Sequence, residues 1–225
     1  MTDRDQTAAP PSSLAGILRS SRPLLLLLAL LLHIMVSPQV AGDWMSLTFQ
    51  VGIIMAAAGT AAASRRHRGQ TALLAVPAAL LVVAGDLSGH RLIDWAGYLV
   101  TVCLYLHVIR LMLHRIFMAR VVTLDVISLA LCTYVLLGML WVLFYLPLLA
   151  LDPDAFASTT PLAGQNPIHA MTYFSYVTLT TLGYGDIVPV APLARSLAVV
   201  EALTGVLFLA VLISRLVGAY GSRRA

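Results

Sequence analysis

Charge is what this sequence has least of. Of its 225 residues, 11% are charged, against about 25% in an ordinary soluble domain. Lysine is absent, and all 14 basic side chains are arginine. Cysteine occurs twice, as Cys103 and Cys132. The shortage of charge excludes an ordinary water-soluble enzyme. A hydrophobic content of 60% excludes a disordered chain. Both cysteines lie inside apolar runs and read as small buried hydrophobes rather than a disulfide or a metal site. The mean hydropathy of +0.90 points to a polytopic membrane protein. The net charge is +4 and the pI about 9.4. The arginines are scattered between apolar runs, so their expected job is membrane orientation and not nucleic-acid binding.

A span needs roughly 20 mostly apolar residues. Six stretches are candidates: about 17–37, 44–63, 71–86, 92–114, 121–150 and 192–217. The first also resembles a signal peptide, with Arg19 and Arg22 before a leucine run. Gln39-Val40-Ala41 is a poor cleavage site, so a retained helix is expected. Arg4, Arg19 and Arg22 precede the first stretch. Arg65, Arg66 and Arg68 separate the second from the third. Arg110, Arg115 and Arg120 bracket the turn between the fourth and fifth. Arg215, Arg223 and Arg224 follow or end the sixth. With the N-terminus inside, these twelve are cytoplasmic, and only Arg91 and Arg195 fall outside. That sorting predicts six spans with both termini cytoplasmic. Asp43, Asp86, Asp94, Asp152, Asp154 and Asp186 fall on the other side. With nine residues after Leu216, no soluble domain is expected at that end, and no internal repeat is evident.

Between the fifth and sixth stretches, 152–191 is more polar, with an apolar-aromatic run near 168–182. Asn166 is suited to an N-cap and Pro167 to the first helical position. From there to about Leu179 is roughly 13 residues, a helix about 20 Å long. Its negative C-terminal end would favour a cation. The chain then reads Thr180-Thr181-Leu182-Gly183-Tyr184-Gly185-Asp186. A dehydrated cation needs several oxygens at fixed positions. Backbone carbonyls supply them only if successive residues turn toward one axis, which requires φ > 0 at alternate positions. Glycine tolerates that and other residues resist it. Gly183 and Gly185 have the required spacing. Thr181, Leu182, Gly183 and Tyr184 would then offer carbonyls, and Thr181 its hydroxyl. One chain provides one ribbon, so a ring of oxygens implies four chains.

The Thr-Leu-Gly-Tyr-Gly-Asp core resembles the selectivity filter of the potassium-channel family, Thr-x-Gly-Tyr-Gly, which follows a pore helix and is flanked by two spans. The resemblance is specific over about 165–216, weakens over the fifth span and is absent before about residue 120. It implies an all-α membrane protein with six transmembrane helices. A re-entrant pore helix and filter would lie between helices five and six, as in the bacterial-type two-helix pore module. K⁺ would bind at Thr181, Leu182, Gly183 and Tyr184. Gly185 would complete the filter, and Thr180, Asp186 and Tyr173 would support it. The implied function is passive K⁺ conduction by a homotetramer in membrane lipid, with no enzymatic activity, no cofactor beyond the permeant ion and no nucleic-acid partner. The expected setting is a bacterial plasma membrane. The expected division is a disordered stretch 1–16, a four-helix membrane domain 17–119, a pore domain 120–217 and a short cytoplasmic tail 218–225. The alternatives are a weakly selective cation channel or a potassium-transporter pore subunit. A membrane enzyme would need paired intramembrane catalytic groups, and His33, His107 and Glu201 are isolated.

Two positions depart from the commonest family pattern. Many members carry Trp where this chain has Tyr173. Others carry Glu where it has Val177, and that Glu braces the filter aspartate. Val177 cannot, so the Tyr173 hydroxyl is expected to hydrogen-bond Asp186; packing alone is the alternative. Glu201, an ionisable residue within the sixth span, could brace the pore helix, tune the filter or sense pH, or be purely structural. Gly205 aligns with a glycine where family inner helices often bend, and a hinge is favoured over close packing. Val206, Leu209, Val211 and Ile213 would make the inner pore hydrophobic. Asp152, Asp154 and Asp186 would gather cations at the mouth or simply cap and solvate loops. His169 reads as a packing or surface histidine, and Asp125 as a helix-start acid paired with Arg120. A voltage sensor needs several arginines at three-residue spacing, each moved charge contributing about 2.3 kcal/mol per 100 mV. The fourth span has His107, Arg110, His114 and Arg115 near one end and no charge from Tyr98 to Leu106. Weak voltage dependence is expected.

Overall fold

The computed structural model describes residues 22–36, 65–119, 121–159, 162 and 165–221. The expected disordered stretch 1–16, the second apolar stretch 44–63, and Arg4, Arg19, Arg120, Arg223 and Arg224 lie outside the described residues. Within them the chain is mostly helical. The elements are α1 (Arg22–Val36), α2 (Arg65–Ser88), α3 (Arg91–Met118), α4 (Leu124–Leu151), a 3-10 turn (Pro153–Ala155), β1 (Phe156–Ser158), α5 (Pro167–Leu179), β2 (Ile187–Pro189) and α6 (Pro192–Gly221).

Among the described residues, three helices are long and apolar enough to cross a membrane: Arg91–Met118, Leu124–Leu151 and Pro192–Arg215. Two shorter apolar helices are Pro23–Val36 and Gly69–Gly85. In α2 the first residues are Arg65, Arg66 and Arg68. They leave an apolar stretch of roughly 26 Å at 1.5 Å per residue, a little under the hydrocarbon thickness of about 30 Å.

α2 and α3 form a hairpin across Gly89 and His90. Gly89 has φ 63° and its N–H donates to the Gly85 carbonyl at 2.8 Å, a left-handed helix stop that glycine adopts without strain. Gly97 lets the two helices touch: a Cβ there would lie 3.2 Å from the backbone of Leu81 and Val82. Between them, Thr71 Oγ1 and His107 Nε2 are 3.3 Å apart.

α4 is the central element. Thr123 caps its start, accepting from the Val126 N–H at 3.4 Å. Residues 128–130, 132, 133 and 135–143 are buried, as is Tyr145. It is apolar nearly all round because it is enclosed, with α1, α3, α5 and α6 all against it. Cys132 is buried as expected, its thiol donating to the Pro23 carbonyl of α1 at 3.3 Å. Cys103 is not: it is exposed on α3. An apolar run predicts depth in a membrane, not which side of the helix a residue occupies.

Beyond α4 a two-stranded antiparallel sheet returns the chain across itself, pairing Phe156 with Pro189, Ala157 with Val188 and Ser158 with Ile187. The N–H groups of Val190 and Thr159 extend it, donating to Ala155 at 2.8 Å and Asp186 at 2.9 Å. Three rings close this corner. Tyr145 of α4, Phe156 of β1 and Phe174 of α5 lie edge-to-face, with centroids 5.1 to 5.7 Å apart. At the other end, the Arg215 guanidinium of α6 donates to the Ile116 and Ala119 carbonyls and lies over the Phe117 ring, 5.6 Å from its centroid. It supplies donors and positive charge where the last carbonyls of α3 need both.

Gly138 sets the distance between α4 and α5. A Cβ there would run into the Tyr176 ring, 2.9 Å from Cδ1 and Cζ. Gly138→Ala is therefore expected to destabilise the fold by about 1–3 kcal/mol, measured as a lower unfolding midpoint in detergent. Gly69→Ala, where a Cβ meets nothing within 4 Å, is the control.

Candidate functional site

α5 starts where the sequence predicts. Asn166 accepts from the Ile168 N–H at 2.9 Å, and Pro167 occupies the first turn, where its missing N–H costs nothing. Ala170, Met171, Phe174, Ser175 and Leu179 are buried, the three- and four-residue spacing of one helical face. That face meets a matching face of α4. Tyr134 donates to the Leu179 carbonyl at 3.1 Å, and Tyr176 to the Val135 carbonyl at 2.8 Å.

The end of α5 sets the path of residues 180–185. A helix leaves its last four carbonyls without intrahelical donors, and all four are satisfied here. Tyr176 O accepts from the Thr180 N–H at 3.1 Å and the Thr180 hydroxyl at 2.6 Å. Val177 O accepts from the Leu182 and Gly183 N–H groups at 2.9 and 3.2 Å. Thr178 O accepts from the Thr181 N–H at 2.9 Å. Leu179 O takes the Tyr134 hydroxyl. The amides of residues 180–183 are thus spent facing back into the helix.

The backbone alternates as expected, and further. Gly183 and Gly185 have φ of 58° and 79°, and Thr181 has φ 59°. Thr181 is the one non-glycine residue with positive φ among those described. A β-branched residue rarely sits there; the hydrogen bond its N–H donates to the Thr178 carbonyl holds it. Residues 180–185 are exposed. Among the described residues, no donor reaches the carbonyls of Thr181, Leu182, Gly183 or Tyr184.

Tyr173 donates to Asp186 Oδ2 at 2.7 Å, the bond expected from sequence. The Ile187 N–H donates to Oδ1 at 3.1 Å. The Tyr173 hydrogen bond, and after it the backbone N–H groups of Asp186 and Ile187, hold the Asp186 carboxyl below its usual range. Glu201 is fully buried. Tyr145 donates to its Oε2 at 2.5 Å, and Ser175 Oγ lies 2.5 Å from Oε1. Gly205, four residues on, is buried against the Leu179 carbonyl, which a Cβ would strike. α6 runs unbroken through it, so close packing, the less favoured reading from sequence, is what the structure displays at Gly205.

Asp152 caps the 3-10 turn, accepting from the Asp154 N–H at 3.1 Å; Asp154 is exposed. Asp125 lies in the first turn of α4, where it favours the helix start. His169 is half-buried. With His33 of α1 it lines an open, largely apolar cavity of about 480 Å³ bounded also by Tyr173, Tyr176 and Tyr184. Among the described residues, no three His, Cys, Asp or Glu side chains cluster as metal ligands.

Residues 129–221 match the family model described as "Ion channel". The matched region takes in most of α4 and all of α5, the ribbon and α6. A stretch of 45 residues is 51% identical to "Two-pore potassium channel 4" of Arabidopsis thaliana, covering 20% of this chain and 16% of that protein. No solved structure matches the chain.

Within the matched region, the roles of Tyr134, Gly138, Tyr145 and Ser175 were not legible in the sequence. Tyr134, Gly138 and Tyr145 are separated by four and seven residues. That helical repeat of one polar or small face on an otherwise apolar helix was the available signal.

Tyr173→Phe should raise the Asp186 pKa toward the ordinary aspartate value, followed by carboxyl NMR titration. The sign follows from the depressed value. The Tyr173–Asp186 bond contributes above the ordinary carboxylate pKa and is lost as pH falls through the lowered one.

Proposed function

We propose that four copies of this chain form a potassium-selective channel, with the carbonyls of Thr181, Leu182, Gly183 and Tyr184 as the ion ligands. The observation that carries this reading is the alternation of positive φ at Thr181, Gly183 and Gly185. It comes after a helix that has already absorbed the amides of residues 180–183. A strand with its donors turned one way has its acceptors free on the other, and four such strands about an axis replace an ion's hydration shell. The match of residues 129–221 to an ion-channel family supports it, as does the similarity to a potassium channel.

Assembly by copies is supported by α6. Its most apolar stretch is only 11% buried within one chain, and Val199, Leu203, Val206, Leu207 and Ile213 are exposed along it. A helix apolar all round belongs inside an assembly or in lipid. In this reading it lines the pore on one face and meets neighbouring copies on the others. Tyr173 braces the outer end of the filter through Asp186. The chain crosses the membrane six times with both termini cytoplasmic, the arginine bias setting the orientation. The N-terminal helices enclose the pore region and move little charge.

Purified protein in liposomes is expected to pass K⁺ and Rb⁺, exclude Na⁺ and be blocked by Ba²⁺; equal Na⁺ and K⁺ flux would sink the potassium reading. Gly183→Ala forces a side chain into the left-handed region at about 1–2 kcal/mol in each copy and should abolish K⁺ flux while lowering stability in detergent by no more than that cost. Conductance in planar bilayers should vary only shallowly with voltage. A steep curve carrying several gating charges per copy would contradict the assignment of α3 as a scaffold.

A further inference from the structure

Three oxygens from three helices stand in a row inside the matched region: Glu201 Oε1 of α6, Ser175 Oγ of α5 and the Gly138 carbonyl of α4. The spacings are 2.5 Å and 2.8 Å. Both are O–H···O hydrogen-bond distances, so each gap requires a proton. A serine hydroxyl has one, and a peptide carbonyl has none. The Gly138 gap can therefore be filled only from Ser175. The Glu201 gap must then be filled from the carboxyl group itself.

We propose that Glu201 is held as a neutral carboxylic acid that donates to Ser175, which donates to Gly138, and that this proton fastens α6 to α5 and α4. Tyr145 completes the set by donating to the other carboxyl oxygen at 2.5 Å. Every polar atom in the row is then paired. With Glu201 ionised, one proton would serve two gaps, and two acceptors would face each other at contact distance. A full charge would also sit where exposure is 0%, with no counter-charge among the described residues to offset its desolvation. The groups facing Glu201 are the phenols of Tyr134 and Tyr145 on α4, and Tyr176 and Ser175 on α5. None is a cation. Arg215, on the same helix, is engaged with the Ile116 and Ala119 carbonyls.

Glu201 thus acts as a positioning residue. It holds α5 against the inner helix, so removing its proton would loosen the segment that carries the ribbon. The flux arm of the test rests on the channel reading; the proton itself does not.

Glu201 is the only glutamate in the chain, so carboxyl-¹³C glutamate places a single reporter. In the full chain in bilayers at neutral pH, solid-state NMR should give the shift of a protonated acid. A carboxylate shift overturns the proposal. Ser175→Ala should move that signal, and an unmoved signal removes Ser175 from the row. Glu201→Gln keeps both bonds, its amide donating to Ser175 and its carbonyl accepting from Tyr145, so it should retain Rb⁺ flux where Glu201→Ala loses it. Wild-type flux should fall at the alkaline pH where the label turns to carboxylate, and Glu201→Gln should not follow. If both fall together, the proton is not the fastening. If neither passes Rb⁺ at any pH while the label reads protonated, the channel reading fails and the proton assignment stands.

Discussion

A backbone carbonyl buried among apolar side chains must find a donor, and the last turn of α5 has four to place. That requirement organises the whole site. The chain leaving α5 satisfies three of these carbonyls with its own amides, and to do so it must curl back on the helix end. The curl puts Thr181 and Gly183 into left-handed backbone. It also consumes the donors of residues 180–183 and leaves the carbonyls of Thr181 to Tyr184 unpaired. The fourth carbonyl, at Leu179, is met from outside by Tyr134. An acceptor-rich ribbon is therefore the by-product of capping a helix with the residues that come next.

The surrounding elements hold that helix end still. Gly138 lets α4 come within contact of Tyr176, and at this closeness Ser175 and Tyr176 reach backbone carbonyls of α4. The Tyr145–Phe156–Phe174 rings fix the middle of α5 against β1. The sheet then ties the outgoing strand, just past Asp186, to the same corner. α5 is thus gripped along its length by hydrogen bonds and rings, in a layer where the hydrophobic effect gives helices little reason to associate.

Much of this was legible in the residues. The Asn166 cap, the extent of α5 and the positive φ at Gly183 and Gly185 each follow from local chemistry, whereas the bond from Tyr173 to Asp186 was expected from its aligned position in the family pattern. Local chemistry needs no knowledge of what lies across the fold. Thr181 was half legible: counting the alternation back from Gly185 lands on it, but threonine argues against the conformation it adopts. Contacts between distant segments were not legible. Nothing in the spacing of Tyr145, Ser175 and Glu201 announces that they meet. Glu201 is conspicuous as a lone acid, but its partners are ordinary residues in apolar helices. Cys103 failed for a similar reason, since a run apolar all round carries no periodic signal of which face is covered. In α2, Arg65, Arg66 and Arg68 occupy the first turn and shorten the apolar part of the helix, which its hydropathy alone did not announce.

Gly205 carries a mechanical consequence. Because it has no side chain, the inner helix α6 rests directly on the Leu179 carbonyl, two residues before the ribbon begins. No compressible layer of side chains separates the two. A slide or rotation of α6 at that level is therefore delivered to the base of the ribbon as backbone displacement. The ribbon and α6 are thus geared to each other and share a bearing surface one glycine wide.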